Sequence, residues 1–296
     1  MKIKQIDPHL FYIDTHGIII IKIQKKMKTL RFIGMVLFAV LMCVNFASCS
    51  SDDDPTEEKE EGGVVVSGKK LVKIIYKSTD DSYSETYTFS YDNKGRLVAA
   101  TIMEAEEDNS STDTFDFIWG DDVVKVTEKS TYSYSNSTYT ESYILILKNG
   151  LVQYEDYGND GTGTYTYNSS NRFVKFSDGG YGTETAIWDG DNLVATSDGD
   201  DDSKLTYGET CSKGYFPFIA TIIDAGKCEA LFMAHPEIAG MRTTQLPTSI
   251  TWTYDGYYGT ESETSTMEYK FNKEGYISKI IGKSTDSNGE YTLTWQ

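Results

Sequence analysis

The sequence predicts an all-β protein: an antiparallel up-and-down meander of hairpins that forms a curved single sheet or barrel. Two observations carry this prediction. From about residue 69 onward, apolar and polar residues alternate, and a polar turn motif recurs through the same region. In residues 85–91, for example, Tyr87, Phe89 and Tyr91 share one face of a strand, and threonine and serine occupy the other face. Residues 69–296 are therefore expected to form a single β domain.

The recurring motif is an aromatic or long apolar residue that ends a strand, then a polar turn with Gly, Asn or Asp, then the start of a β-branched run. Gly and Asn tolerate the positive φ that tight turns require, and an Asp side chain can hydrogen-bond to the turn backbone. The spacing between the first five copies leaves room for two strands and two turns, so the motif predicts successive hairpins. The six copies are residues 91–98, 119–124, 147–152, 167–174, 188–194 and 271–277.

One segment, residues 214–240, interrupts the strand pattern. Ala230, Leu231 and Ala234 have the spacing of a short helix, and Pro236 follows as its stop. The segment lies between the fifth and sixth copies of the turn motif. We therefore expect a helical insertion that acts as a plug or cap, covering one end of the sheet and burying its apolar face.

The N-terminal region is organised like a lipoprotein signal peptide. A short basic segment, residues 27–31, precedes an apolar run, residues 32–46, and then Ala47-Ser48-Cys49. The run is shorter than the roughly 20 apolar residues of a transmembrane helix but fits a signal peptide. We expect residues 27–48 to be removed and Cys49 to be acylated, although Phe46 stands where leucine is usual. Residues 1–26 are interpreted as a mis-assigned start; the alternative, a long basic region, leaves Cys49 unchanged.

Residues 49–68 are predicted to be an acidic, flexible tether, because a charged stretch with Pro and Gly cannot bury enough apolar surface to fold. The segment Ser50-Ser51-Asp52-Asp53-Asp54 also resembles the acidic export signal that follows the lipidated cysteine in surface-exposed lipoproteins of Bacteroidota. This resemblance implies an outer-membrane protein that faces outward. The two interpretations are compatible, since an anchored domain needs a tether.

The charge balance excludes one class of partner. The chain has a formal charge of −18; the part before Cys49 has seven basic and two acidic residues, so the remainder has 20 basic and 43 acidic residues and a charge of −23. Such a surface repels phosphate backbones, which argues against nucleic-acid binding. Solubility explains this charge, and a cation or a basic partner is the alternative. We expect no transmembrane span in the mature protein.

The turn motif Tyr91-Asp92-Asn93-Lys94-Gly95-Arg96-Leu97 resembles the tyrosine–aspartate repeats of Rhs-type proteins. Signal and body together are similar to a family of Bacteroidota surface lipoproteins built on a domain of unknown function with a porin-like β fold. The resemblance covers roughly residue 69 to the C-terminus. It implies a curved sheet or a barrel, and it does not identify any residue of this chain as catalytic.

Catalytic and cofactor motifs are missing from the sequence. His235 is the single histidine after Cys49, which argues against histidine-dependent triads and multi-histidine zinc sites; a capping or packing role is expected. No Gly-rich phosphate loop opens a helix, so we predict no cofactor and no metal. Residues 198–203 are rich in oxygen ligands, but a hairpin turn is favoured there over a calcium site. Cys211 and Cys228 either form a disulfide or are two buried thiols.

Aromatic residues are the remaining candidates for a binding site, because a glycan stacks its sugar faces on tryptophan and tyrosine. The alternative for each is packing on the inner face of the sheet. The candidates are Trp119, Trp188, Trp252, Tyr257 and Tyr258.

Three functional hypotheses follow. The first is a non-enzymatic surface lipoprotein that binds a glycan or another envelope component. The second is a structural or interaction subunit of a surface assembly. The third is a glycoside hydrolase that uses two of the many carboxylates. A membrane-spanning barrel is disfavoured, because segments such as residues 123–129 place Lys and Glu on both strand faces.

Overall fold

The computed structural model describes residues 68–80, 82–106, 109–133, 135, 137–179, 182–210, 213–256, 259–285 and 288–296. The predicted signal peptide, Cys49 and the tether up to residue 67 lie outside these residues, as do Cys211, Tyr257 and Tyr258. No helix in the described part of the chain has the length and apolar character needed to cross a membrane.

Within the described residues, sixteen antiparallel strands follow one another around a closed barrel, which confirms the predicted meander and selects the barrel over the open sheet. The first eight are β1 (Leu71–Ser78), β2 (Tyr83–Tyr91), β3 (Leu97–Glu106), β4 (Asn109–Trp119), β5 (Val123–Tyr132), β6 (Ser137–Lys148), β7 (Leu151–Asp156) and β8 (Thr162–Tyr167). The others are β9 (Phe173–Ser177), β10 (Thr183–Asp189), β11 (Asn192–Ser197), β12 (Asp201–Thr210), β13 (Gln245–Gly256), β14 (Gly259–Phe271), β15 (Ile277–Lys283) and β16 (Asn288–Trp295). Pairing of β1 with β16 closes the barrel, with Ile74 opposite Leu293.

The alternation in the sequence separates the two faces of the wall. Residues such as Tyr87, Phe89 and Leu145 point inward and are buried, and the residues between them point outward. Serine, threonine and lysine occupy many of the outward positions. The serine and threonine hydroxyls form hydrogen bonds across strands, as between Thr251 and Thr264 at 2.8 Å.

All six copies of the turn motif lie at one end of the barrel, which we call the repeat end: each connects an even-numbered strand to the following odd-numbered strand. Three of these turns share one hydrogen-bond pattern. The side chain of the first turn residue accepts bonds from the backbone N–H groups two and four residues later, at 2.9 to 3.0 Å. These first residues are Asp92, Asn168 and Asn272. The opposite end, formed by turns from odd-numbered to even-numbered strands, is called the mouth.

The aromatic residue of the motif has a structural role at the repeat end. Seven even-numbered strands carry, at or near their ends, a Tyr or Trp whose polar tip donates to a carbonyl near the start of the preceding strand, at 2.5 to 2.7 Å. In the eighth, β6, Leu147 occupies this position. We call this ring the aromatic girdle; its members are Tyr91, Trp119, Tyr167, Trp188, Tyr207, Tyr269 and Trp295. Each bond fixes the stagger of one hairpin.

The predicted insertion lies between β12 and β13, where the pattern calls for a turn. It contains helices α1 (Ile219–Ile223) and α2 (Glu229–Ala234) and a 3-10 turn (Pro236–Ala239), and most of its residues are buried. It contacts the wall on several sides. Phe218 packs on Tyr291 of β16, with ring centroids 4.5 Å apart, and His235 accepts a hydrogen bond from Leu97 N–H of β3 at 3.3 Å. The insertion is therefore a plug inside the barrel.

A buried carboxylate holds the plug to β7. Glu155 is fully buried and accepts hydrogen bonds from the hydroxyls of Tyr157 and Tyr165 and from the backbone N–H of Lys227 in the plug. Desolvation raises the pKa of this carboxyl, and the three hydrogen bonds oppose that shift. Gly226 passes so close that a Cβ there would lie 2.5 Å from Glu155 Oε1, and its φ is +76°.

Gly226→Ala is expected to destabilise the protein more than Gly158→Ala does. Gly158 has a similar φ of +67°, but a Cβ there would meet nothing within 4 Å. Both variants incur the left-handed backbone strain of about 1 to 2 kcal/mol. Gly226→Ala adds an overpacking cost of about 1 to 3 kcal/mol against Glu155 and Tyr165. Chemical denaturation of the two variants measures the difference; equal losses would contradict a tight contact between plug and wall.

Candidate functional site

The mouth is strongly acidic. In the described residues of its turns there is no Lys or Arg, and Asp80, Asp178 and Asp198 lie there. Further carboxylates line the inner wall next to the mouth, on positions that alternate with the outward residues: Glu85, Glu104, Asp113, Glu128, Glu141, Glu184, Asp201 and Glu263. Because the charges converge on one opening, the mouth attracts cationic and hydrogen-bond-donating ligands.

A cavity of about 80 Å³ opens within the mouth, between the plug and the wall formed by β10 to β13. Its lining combines carboxylates, hydroxyls and one indole. The wall contributes Glu184, Thr196, Asp198, Asp201, Asp202, Ser203, Trp252, Thr253 and Tyr254, and the plug contributes Thr221, Ile222, Ile223, Asp224 and Glu229. These residues are far apart in sequence, and they come together because the strands are neighbours in the barrel and the plug returns beneath them.

The polar groups of the cavity are held in place by their neighbours. Thr196 and Ser203, both buried, share a hydrogen bond of 2.6 Å across β11 and β12. In the plug, the Thr221 hydroxyl donates to Glu229 Oε1 at 3.0 Å. The cavity thus places hydrogen-bonded hydroxyls and carboxylates beside Trp252.

The aromatic candidates are divided between two environments. Trp252 lines the cavity, half-buried. Trp119 and Trp188 belong to the aromatic girdle; their indole N–H groups donate to backbone carbonyls, and Arg96 and Arg172 lie over their rings at 5.9 and 5.4 Å. Ligand stacking remains a prediction for all of them, and the geometry favours Trp252.

The structure also gives the contacts of three other residues that the sequence analysis discussed: Asp198, His235 and Cys228. Asp198 accepts hydrogen bonds from the N–H groups of Asp200 and Asp201, as in the hairpin turn favoured for this segment.

His235 lies buried in the plug, with Nδ1 2.9 Å from Glu237. Cys228 is also buried, 3.4 Å from the Tyr143 hydroxyl, and burial raises the pKa of its thiol. A disulfide with Cys211 and two buried thiols both remain open, because Cys211 lies outside the described residues.

A second group of carboxylates was not singled out from the sequence. Asp113, Glu128 and Glu141 lie on β4, β5 and β6, with Glu128 directly opposite Glu141. Burial, helped by the charges of Asp113 and Glu141, raises the pKa of Glu128 to about 7, and Lys227 opposes this shift. Among the residues that the structure describes, no cluster of three or more His, Cys, Asp or Glu is arranged to hold a metal ion.

Glu128 is expected to make stability fall as the pH rises from about 4.5 to 7. The folded protein binds this proton more tightly than the unfolded chain, so the stabilisation is complete below pH 4.5 and is lost as the pH approaches 7. In Glu128→Gln this part of the decline should disappear. After a discount for solvent screening, the difference in Tm amounts to about 2 to 4 °C.

The measurement is the Tm of the parent protein and of Glu128→Gln, obtained by thermal unfolding at several pH values between 4.5 and 7.5. Glu268→Gln is the control, because Lys283 lowers the pKa of that carboxyl and its removal must not flatten the decline. Parallel curves for Glu128→Gln and the parent protein would show that Glu128 titrates normally.

Comparison with known proteins relates the barrel to solved structures. No protein-family profile and no curated protein matches the sequence. The fold is similar to that of a porin-like protein from Bacteroides uniformis, with a TM-score of 0.54 and 17% identity over 76% of this chain and 96% of that chain. A porin-like protein from Bacteroides vulgatus gives a TM-score of 0.35 and 10% identity over 77% and 99% of the two chains. The chain thus shares its barrel fold with a porin-like protein of Bacteroides.

Proposed function

We propose that this chain is a non-enzymatic lipoprotein of the outer-membrane surface that binds a glycan in the mouth cavity. The observation that carries the proposal is the position of Trp252, beside the Thr196–Ser203 hydroxyl pair and several carboxylates. A sugar has an apolar face that stacks on an indole and hydroxyls that donate to carboxylates. The cavity supplies both complements on one rigid wall.

The polar exterior supports a barrel that stands outside the bilayer. A membrane-spanning barrel presents an apolar band about 25 Å tall to lipid. Here serine, threonine and lysine fill many outward positions, including the Thr251–Thr264 and Thr253–Ser262 pairs. The lipid on Cys49 is then the anchor, and the acidic segment after it is the tether that presents the barrel to the outside.

The second candidate is a glycoside hydrolase, since the cavity brings Glu184 of the wall and Glu229 of the plug to one space. Such an enzyme needs a protonated carboxyl as its acid. The Thr221 hydroxyl already donates to Glu229 Oε1, so one oxygen of this carboxylate is engaged within the plug. The geometry therefore supports binding better than hydrolysis.

Trp252→Ala is expected to weaken glycan binding by about 2- to 12-fold, because stacking on an aromatic ring contributes on the order of 0.5–1.5 kcal/mol. Trp188→Phe is the control: it removes a girdle hydrogen bond away from the cavity and should leave binding unchanged. A glycan array identifies the ligand, and calorimetry compares the variants.

The outcomes separate the hypotheses. Failure of the parent protein to bind any glycan would leave the interaction-subunit hypothesis in its place. Shortened glycans after incubation, lost in Glu229→Gln, would establish the hydrolase.

Cys49→Ala is expected to move the protein from the membrane fraction to the soluble fraction, because the acyl chains are its proposed attachment. Ser50→Ala, one residue later, is the control and should remain in the membrane fraction. Cell fractionation with metabolic labelling by a fatty acid measures both; a Cys49→Ala protein that stays membrane-bound would overturn the anchor.

A further inference from the structure

One side of the barrel departs from the polar pattern of the exterior. Ile118, Val123, Ile144, Ile146 and Tyr154 point outward on the four consecutive strands β4 to β7, and all five are exposed. We call these five residues the apolar patch. Each of them is next in sequence to a buried inward residue: Phe117 precedes Ile118, and Leu145 lies between Ile144 and Ile146. Because successive side chains of a strand point to opposite faces, the patch residues must point outward as long as these neighbours are buried.

The strand register makes the patch continuous. Val123, Ile146 and Tyr154 are direct neighbours in one row across β5, β6 and β7. In the adjacent row, Ile118 and Ile144 flank Lys125. Direct cross-strand neighbours lie about 5 Å apart, so their side chains touch and form one apolar surface. A contiguous surface of this kind on a soluble face marks an interaction site, unlike the single exposed Ile187 on β10.

The patch lies near the repeat end, and the chain enters the barrel at that same end. Ile118 and Ile146 stand at the ends of β4 and β6 that lead into repeat-end turns. Gly68, the first described residue, precedes β1 at this end, and it is only 19 positions after Cys49. The tether from the lipid therefore joins the barrel at the end near which the patch lies, with β2 and β3 between β1 and the patch strands.

The distribution of charge also favours the repeat end, and not the mouth, as the end nearer the membrane. Lys69, Lys94, Lys148, Arg172 and Arg242 lie at the repeat end, where they offset its aspartates, whereas the turns of the mouth carry carboxylates without Lys or Arg among the described residues. A bilayer with anionic headgroups repels the mouth and tolerates the repeat end.

We propose that the apolar patch contacts the surface of a lipid bilayer, so that the barrel leans on its β4–β7 side with the mouth turned away from the membrane. This inference rests on the proposed lipid anchor at Cys49. Ile118, Ile146 and Tyr154 enter the interface between headgroups and acyl chains, and Lys125 extends its ammonium group to the headgroups. Asp121 and Asp122, in the adjacent turn, stay in the headgroup layer.

The lipid surface fits the patch better than a second copy of the chain does. A standard protein interface buries about 800 Å² on each partner. Five side chains that are only partly exposed fall short of that area. An anchored barrel needs less, because the proposed anchor already keeps the barrel close to the membrane.

Hydroxyl-radical footprinting of the mature lipoprotein in nanodiscs of phosphatidylethanolamine and phosphatidylglycerol tests the proposal. The reference is the full chain with Cys49→Ala in buffer. Oxidation of Tyr154 and Ile118 should fall about fivefold in nanodiscs. Tyr139 and Ile187 are internal controls of the same residue types, both 63% exposed, and their oxidation should not change.

A double variant, Ile118→Thr with Ile146→Thr, places at these positions a residue that the same strands already carry on their outward face. It should restore the oxidation of Tyr154 in nanodiscs while the protein stays anchored. Unchanged oxidation of Tyr154 in an anchored parent protein would overturn the lipid contact but keep the anchor. A chain that does not enter nanodiscs would refute the anchor itself. Protection in buffer that grows with protein concentration would assign the patch to self-association.

Discussion

Burial of the inner wall against the plug is the interaction on which the barrel depends. A barrel of 16 strands is too wide for its own inward side chains to fill, and barrels of this size elsewhere enclose water. Here the inward residues away from the mouth include many aromatic and aliphatic side chains, such as Phe89, Phe117 and Leu145, and a water-filled channel would leave them exposed. The plug supplies the missing half of the core, so that wall and plug must fold together.

The contacts of the plug show how an apolar core is given one fixed arrangement. Apolar burial is non-directional and would allow the plug to shift along the wall. Directional contacts prevent this. Glu155 collects three hydrogen bonds, one of them from Lys227 in the plug, and His235 bonds to the backbone of β3 on another part of the wall. A buried carboxylate is costly unless its hydrogen bonds are complete, and here they restrict the plug to one depth.

The two ends of the barrel have different physical characters. At the repeat end, polar tips of the aromatic girdle satisfy backbone carbonyls, and the turns are closed by their own Asp and Asn side chains. At the mouth, carboxylates of β10, of β12 and of the turn before β12 line a cavity that the plug does not fill. Backbone carbonyls and turns are thus satisfied by side chains at the end where the chain enters the barrel, and the acidic cavity lies at the opposite end.

The sequence by itself determined the strands, the turns and the place of the plug, because these depend on local periodicity and turn chemistry. Alternation marks the inward face, Asp92 and Asn272 mark the turns, and Pro236 marks the end of a helix. Only the tertiary structure decided that β1 pairs with β16, since that register joins residues more than 200 positions apart. It also separated Trp188 of the girdle from Trp252 of the cavity, which look alike in sequence. The cavity and the apolar patch arise from side chains on neighbouring strands, and the strand register and the position of the plug, both properties of the tertiary structure, set which side chains meet.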